Sequence, residues 1–263
     1  MTVALGMTAM GSIFVCADSH VVSTDGTVTS GCKLSGKQCG NGSFAIANAS
    51  DDANAASMVA KEILDELSKS TTDKWNIEPA IKNVMQSWQS GYGQVAAPSM
   101  QLVLAASVSK QNRGLYFCSP PNTVLRKDFD ESVVIGCGGQ VLDALLPEVV
   151  RGPLRLREAL IRAAYLMYRV KKEHVFLKGS DTDVLVIGEE NGDIRFTERT
   201  EMAQAEELGP DMDFMLRYCY LMLGFVQGQE PLNLWQGFKR KYKEVRKKAD
   251  AITFPSLDGM VGT

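Results

Sequence analysis

Apolar residues recur at two different periods along this chain, and the switches between those periods divide it into blocks. In the first 50 residues the period is two. Val3, Leu5 and Met7 alternate with their neighbours, and Ile13 to Ala17 form a short apolar run beyond a turn at Gly11. Asp25-Gly26 is a hairpin signal between Val21-Val22 and Thr27-Val28, and a further strand is predicted from Phe44 to Ala47. The period then becomes helical. Met58, Val59, Ile63 and Leu67 mark one helix, with Asp51 and Asp52 as caps at its start. Ile77, Ile81, Val84, Met85 and Trp88 mark a second, which ends at the Gly91-Tyr92-Gly93 break; the TTDK connection between the two is short enough to make them antiparallel neighbours.

Strands return at 100–108, at 114–119 after a QNRG turn, and at 132–139. Two more helices follow, Val141 to Val150 and Leu154 to about Val170, the latter with Leu156, Leu160, Ala163, Ala164 and Met167 on one face. Residues 182–197 form a strand segment with a turn at Glu190 to Gly192, and the remainder is helical. Blocks of strands alternating with helix pairs exclude a βαβ sheet. They predict an α+β protein: a four-layer αββα sandwich of two antiparallel sheets flanked by helix pairs. The expected division is a main domain over 1–200 and a helical C-terminal extension over 201–263, packed on the same domain.

Composition narrows the function without naming it. Apolar residues make up 45% and charged residues 22%, ordinary proportions for a globular protein. A net charge of -3 provides no general attraction to nucleic acid or to anionic membranes, so neither is an expected partner. No stretch approaches the roughly 20 apolar residues of a membrane span. The N-terminal segment lacks the charged region of a signal peptide, which makes the cytoplasm the expected location. Six cysteines without a CxxC pair read as reduced core thiols rather than a zinc site. Two histidines, His20 and His174, are too few for most zinc hydrolases and argue against a Ser/His/Asp triad. No cofactor is implied. The basic KRKYKEVRKK segment reads as a solvated helix face.

The candidate chemistry lies near the start. Thr2 follows the initiator methionine, and a small penultimate residue allows Met1 to be trimmed, exposing a threonine with a free α-amine. Asp18 ends an apolar strand, where a charge needs a purpose or a partner. Lys33 lies beyond the predicted hairpin, which would carry it back towards Asp18 across a sheet. A threonine hydroxyl is a weak nucleophile unless a base takes its proton. A free α-amine, with a pKa of about 7.7 to 8.0, is poised to be that base. Lys33 would supply positive charge beside the hydroxyl and Asp18 would hold it charged. Each residue also has a plain alternative, as an ordinary start residue, a turn aspartate and a surface hairpin lysine.

On these residues the segment TVALGMTAMGSIFVCADS resembles the N-terminus of proteasome β subunits and HslV-type peptidases, members of the N-terminal-nucleophile (Ntn) hydrolase superfamily. FAIANASDDANAASMVAKEILDEL resembles the passage from strand to first helix in that family, and VIGCGGQVLDALL its Gly-Ser-Gly turn. The likeness spreads over roughly residues 2 to 200 and implies a divergent bacterial-type, proteasome-like member. It implies a threonine-type peptidase with Thr2, Asp18 and Lys33 as catalytic residues, and an oxyanion donor at Asn48 or Ala47. It also implies peptide or unfolded-protein substrates, self-association into rings or a related oligomer, and a possible ATPase regulator. The chain departs from the pattern at Cys137, which replaces the turn serine. It departs again at the Asp-x-x-Ser pair, where Ser180 can stand for the serine but Leu177 falls on the aspartate; Asp181 or Asp183 are the substitutes nearby. Those departures keep two alternatives open, an inactive scaffold subunit and an amidohydrolase of small amides.

Overall fold

Strands β1 (Val3–Ala9) and β2 (Ser12–Asp18) pair antiparallel, and the period-two pattern sorts their side chains. Val3, Leu5, Met7, Phe14 and Cys16 face a helical layer, whereas Ala4, Ile13, Val15 and Ala17 face a second sheet. The computed structural model describes residues 2–22, 27–39, 42–69, 77–91, 98–109, 112–120, 123–127, 132–150, 152–188, 192–224 and 232–260. Asp25-Gly26, TTDK, Tyr92-Gly93 and Glu190 therefore lie outside the described residues.

Within them the chain continues through β3 (His20–Val22), β4 (Val28–Ser30), β5 (Leu34–Cys39) and β6 (Gly42–Ser50) to helices α1 (Ala53–Lys69) and α2 (Ile77–Gly91). Strands β7 (Met100–Ser109), β8 (Asn112–Ser119), β9 (Thr123–Lys127) and β10 (Val133–Gly136) precede α3 (Gly139–Val149) and α4 (Leu156–Glu173). Strands β11 (Thr182–Ile187) and β12 (Ile194–Phe196) lead to α5 (Arg199–Glu206), α6 (Gly209–Gly224) and α7 (Leu232–Ala251). One five-stranded sheet has the order β10-β1-β2-β11-β12 and the other β5-β6-β7-β8-β9, both antiparallel, with β3-β4 as a separate ribbon.

Three apolar layers hold this stack together. One lies between the sheets (Ala45, Ala47, Val103, Leu115, Leu185), one under α1 and α2 (Phe44, Val59, Ile63, Ile81, Met85), and one under α4 (Leu160, Ala164, Met167, Val170). Two sheets with helices on both outer faces make the four-layer αββα sandwich that the pattern predicts. The sheets approach closely: a Cβ at Gly6 would sit 2.6 Å from Val103 Cγ1. Small residues on the facing strands permit that approach.

Three details differ from the pattern. Met58 is 63% exposed, one position outside the stripe that buries Val59, Ile63 and Leu67. Strands β5 and β9 carry almost no apolar signal because they are the two edges of their sheet, with a single buried residue each. The apolar run at 132–139 divides, ending as strand at Gly136 and turning into α3 from Gly139. Beyond residue 200, α6 packs on α4 through Asp213, which accepts the Tyr165 hydroxyl at 2.9 Å and pairs with Arg169 at 3.1 Å and Lys172 at 2.7 Å. Arg157 Nε donates to the Ile252 carbonyl at 2.9 Å, tying down the end of α7.

Gly136 fixes where β1 begins. It is opposite Val3 in the ladder, has φ of 88°, and a Cβ there would stand 2.0 Å from the Thr2 carbonyl oxygen. Neither the backbone angle nor the space admits a side chain. Gly136→Ala is therefore expected to lower unfolding stability by about 2 kcal/mol or more, read as a shift of the urea midpoint.

Candidate active site

Asp18 is the last residue of β2 and is fully buried. Its Oδ1 accepts the Val3 amide at 2.7 Å, and its Oδ2 accepts the His20 amide at 3.1 Å and the Lys33 ammonium at 2.8 Å. Lys33 is itself only 4% exposed. The two do not meet as ladder partners, as a simple hairpin would have them. Asp18 pairs with Thr182 of β11, while the chain leaves the sheet in the β3-β4 ribbon and returns with the Gly31 amide on the Ser19 carbonyl at 2.7 Å. Lys33 follows that return and reaches in over the end of β2. Burial drives its pKa below the ordinary 10.5, and the Asp18 carboxylate opposes that shift.

Thr2 stands where these elements meet. It is 8% exposed, its carbonyl accepts the Cys137 amide at 2.9 Å, and its hydroxyl has no hydrogen-bond partner among the described residues. It lines two cavities. One, of about 360 Å³, is shared with Lys33, Asn48 and Val21; the other, of about 270 Å³, is shared with Gln101, Gly136 and Cys137. Met1 lies outside the described residues.

Thr2, Asp18, Lys33, Asn48 and Cys137 are thus brought together, each with a defined role in the local geometry. The Asn48 backbone amide and its Nδ2 both donate to the Lys33 carbonyl, at 3.2 and 3.1 Å. The amide predicted as an oxyanion donor is therefore engaged in holding the lysine, and the Asn48 side chain does the same. Cys137 is exposed, yet the protein around it still disfavours a thiolate by desolvation and the thiol lies above its ordinary pKa. Ser180 is not part of the cluster: it lines neither cavity, and its hydroxyl donates to the Leu177 carbonyl at 2.8 Å, a backbone acceptor where the family pattern has an aspartate. Asp183 and Asp181 are held by Arg199, which grips Asp183 at 2.6 and 3.0 Å and Asp181 at 3.0 Å. Arg199 and Gln101 do not stand out in the sequence pattern. Gln101 Oε1 accepts the Gly136 amide at 3.0 Å and steadies the turn beside Thr2. A polar residue early in an otherwise apolar strand was the signal available for it.

No family model and no curated protein matches the chain. Solved structures do. The Gly-1 mutant of Anbu from Hyphomicrobium sp. strain MC1 superposes with a TM-score of 0.68 at 16% identity, over 88% of this chain and 99% of that one. Anbu from Yersinia bercovieri, described as an ancestral beta-subunit, gives 0.64 at 13% identity over 87% and 98%. The helical assembly of the Anbu complex from Pseudomonas aeruginosa gives 0.61 at 12% over 88% and 99%. The chain has the Ntn-hydrolase fold. These neighbours correct the expected affiliation with proteasome β subunits and HslV-type peptidases: the three structures named are Anbu, and at such identities the likeness carries the fold alone. The physical reason is that two apolar strands joined by a turn are what any sheet of this sandwich asks of its sequence, so a pattern of that kind specifies the fold more than the branch.

The ion pair yields an ordering of two substitutions. Lys33→Met leaves a buried carboxylate that keeps two backbone donors, and is expected to cost about 3 kcal/mol in urea denaturation. Asp18→Ala strands the ammonium and also orphans the Val3 and His20 amides, so it should cost more than Lys33→Met. The reverse order would show that Asp18 does not organise the strand end.

Proposed function

We propose that this protein is a threonine-type peptidase of the Ntn class, with Thr2 as nucleophile once Met1 is removed. The observation that carries the reading is the buried Lys33, paired with Asp18 at 2.8 Å, on the wall of the same cavity as Thr2, whose hydroxyl has no partner among the described residues. In this mechanism the Thr2 α-amine takes the hydroxyl proton as Oγ attacks the amide carbon, then returns it to the leaving amine. An ester of Thr2 remains. Water, deprotonated by the same amine, cleaves that ester and restores the hydroxyl. Lys33 lowers the cost of negative charge developing near Oγ, and Asp18 keeps the ammonium in place. Asn48 would donate to the oxyanion only by giving up its bond to the Lys33 carbonyl.

Residues 1–200 would form the catalytic unit, with 201–263 as a helical extension packed on it. An exposed peptidase site needs sequestration, and Anbu from Pseudomonas aeruginosa forms a helical assembly, so self-association of this chain is part of the reading. A second reading, a scaffold without catalysis, is favoured by one specific observation: the Ser180 hydroxyl is spent on the Leu177 carbonyl, which leaves nothing in the place of the Asp-x-x-Ser pair.

Intact mass of the purified protein after treatment with a β-lactone or epoxyketone probe separates the two. Loss of Met1 and a single adduct on Thr2, absent from Thr2→Ala, support the peptidase; a retained Met1 or an unlabelled Thr2 supports the scaffold. Thr2→Ala should reduce peptide hydrolysis by about a thousandfold or more. The pH profile of kcat/KM should rise as the α-amine loses its proton, at about 7.7 to 8.0. It should fall again below pH 10.5, because burial lowers the pKa at which Lys33 loses its charge. Lys33→Arg should move that alkaline limb upward, since a guanidinium keeps its proton.

A further inference from the structure

Asp51 stands on the divide between the two cavities that Thr2 lines. Together with Thr2 and Ser50 it borders both, the larger and the smaller. Its backbone is fixed there by its amide, which donates to the Ser99 carbonyl at 3.2 Å. The charges around it do not balance. Lys33 is neutralised by Asp18 at 2.8 Å. Asp52 is occupied as the cap of α1, accepting the Asn54 and Ala55 amides at 2.9 and 3.0 Å. The Asp51 carboxylate has no partner among the described residues, and its side chain is exposed. The walls around Thr2 therefore carry two carboxylates that no cation offsets among the described residues, and of these Asp51 stands where the two cavities meet, free of any hydrogen bond to its side chain there. Thr2, itself 8% exposed and with a hydroxyl that has no partner among the described residues, lines the same space.

We propose that Asp51 is a specificity residue selecting peptide or amide substrates that carry an ammonium or guanidinium group beside the scissile bond. This rests on the peptidase reading and adds the substrate class to it. A cation bound across the divide would meet an anionic partner that costs nothing to release from another contact. A carboxyl-bearing substrate would meet like charge from Asp51 and Asp52. A guanidinium fits best, because its planar donors match both carboxylate oxygens. The site is open to water, so the preference is modest, about fivefold over an uncharged side chain of similar length.

The test compares two peptide epoxyketones that differ only in arginine against norleucine next to the reactive carbon. The rate of Thr2 adduct formation is read by intact mass. The arginine probe should react about fivefold faster at low salt, and that ratio should shrink in about 1 M salt. Asp51→Asn should bring the ratio close to one, and Asp51→Glu should keep it above one. Because both probes are read on the same protein, any loss of folded material cancels from the ratio. Equal rates on the unmodified chain, or a preference that survives Asp51→Asn, overturn the inference and leave the peptidase reading standing. Labelling of Thr2 by neither probe overturns both.

Discussion

A carboxylate removed from water at the end of a strand must find donors, and the Asp18 carboxylate finds three. They come from the start of β1, from the entry to the β3-β4 ribbon, and from the segment that leads out of that ribbon. One buried group thereby ties together three stretches of chain that the sheet ladders do not join at this end. Buried ion pairs are poor sources of net stability, because two desolvation costs offset the attraction between them. Their value is geometric. The Lys33 ammonium is fixed by its 2.8 Å contact with Asp18, on a side chain that lines the same cavity as Thr2.

The sandwich accounts for why the site lies at a strand end. Along the strands, side chains are committed alternately to the helical layers and to the space between sheets, and both are closed to water. Backbone and polar side chains can face an open cavity only where the ladders stop. At that end Gly136 lets the backbone pass against the Thr2 carbonyl, Gln101 steadies the turn, and Asn48 anchors the Lys33 backbone from the other sheet. Both sheets thus contribute residues to the cavities that Thr2 lines.

The departures from the family pattern have physical substitutes that do not repeat its chemistry. Where an aspartate would orient a serine, Ser180 bonds a backbone carbonyl three residues earlier. The nearby aspartates are turned to Arg199, whose guanidinium also reaches the Ser30 hydroxyl at 3.4 Å and so braces the ribbon that delivers Lys33. Charge removed from one role has been spent on holding the loop. The same region that departs from the expected pattern supports the lysine.

Strand periodicity, helical stripes and block order were enough to reach the αββα sandwich, because burial on a given face follows from spacing alone. The Asp18–Lys33 pair near Thr2 was legible for a related reason: a charge ending an apolar strand is conspicuous and needs a partner. Edge strands β5 and β9 were not legible, since one side of an edge strand has no partner to demand apolar residues. Nor were Arg199, Gln101 and the place of Asp51 between two cavities, or the commitment of the Asn48 amide to Lys33. Those depend on which segments end beside one another after the chain has left and re-entered its sheets. Sequence by itself determined the layers and the chemical groups available; only the tertiary structure decided which of those groups meet, because local spacing specifies a face whereas contact between distant segments is set by how the layers close.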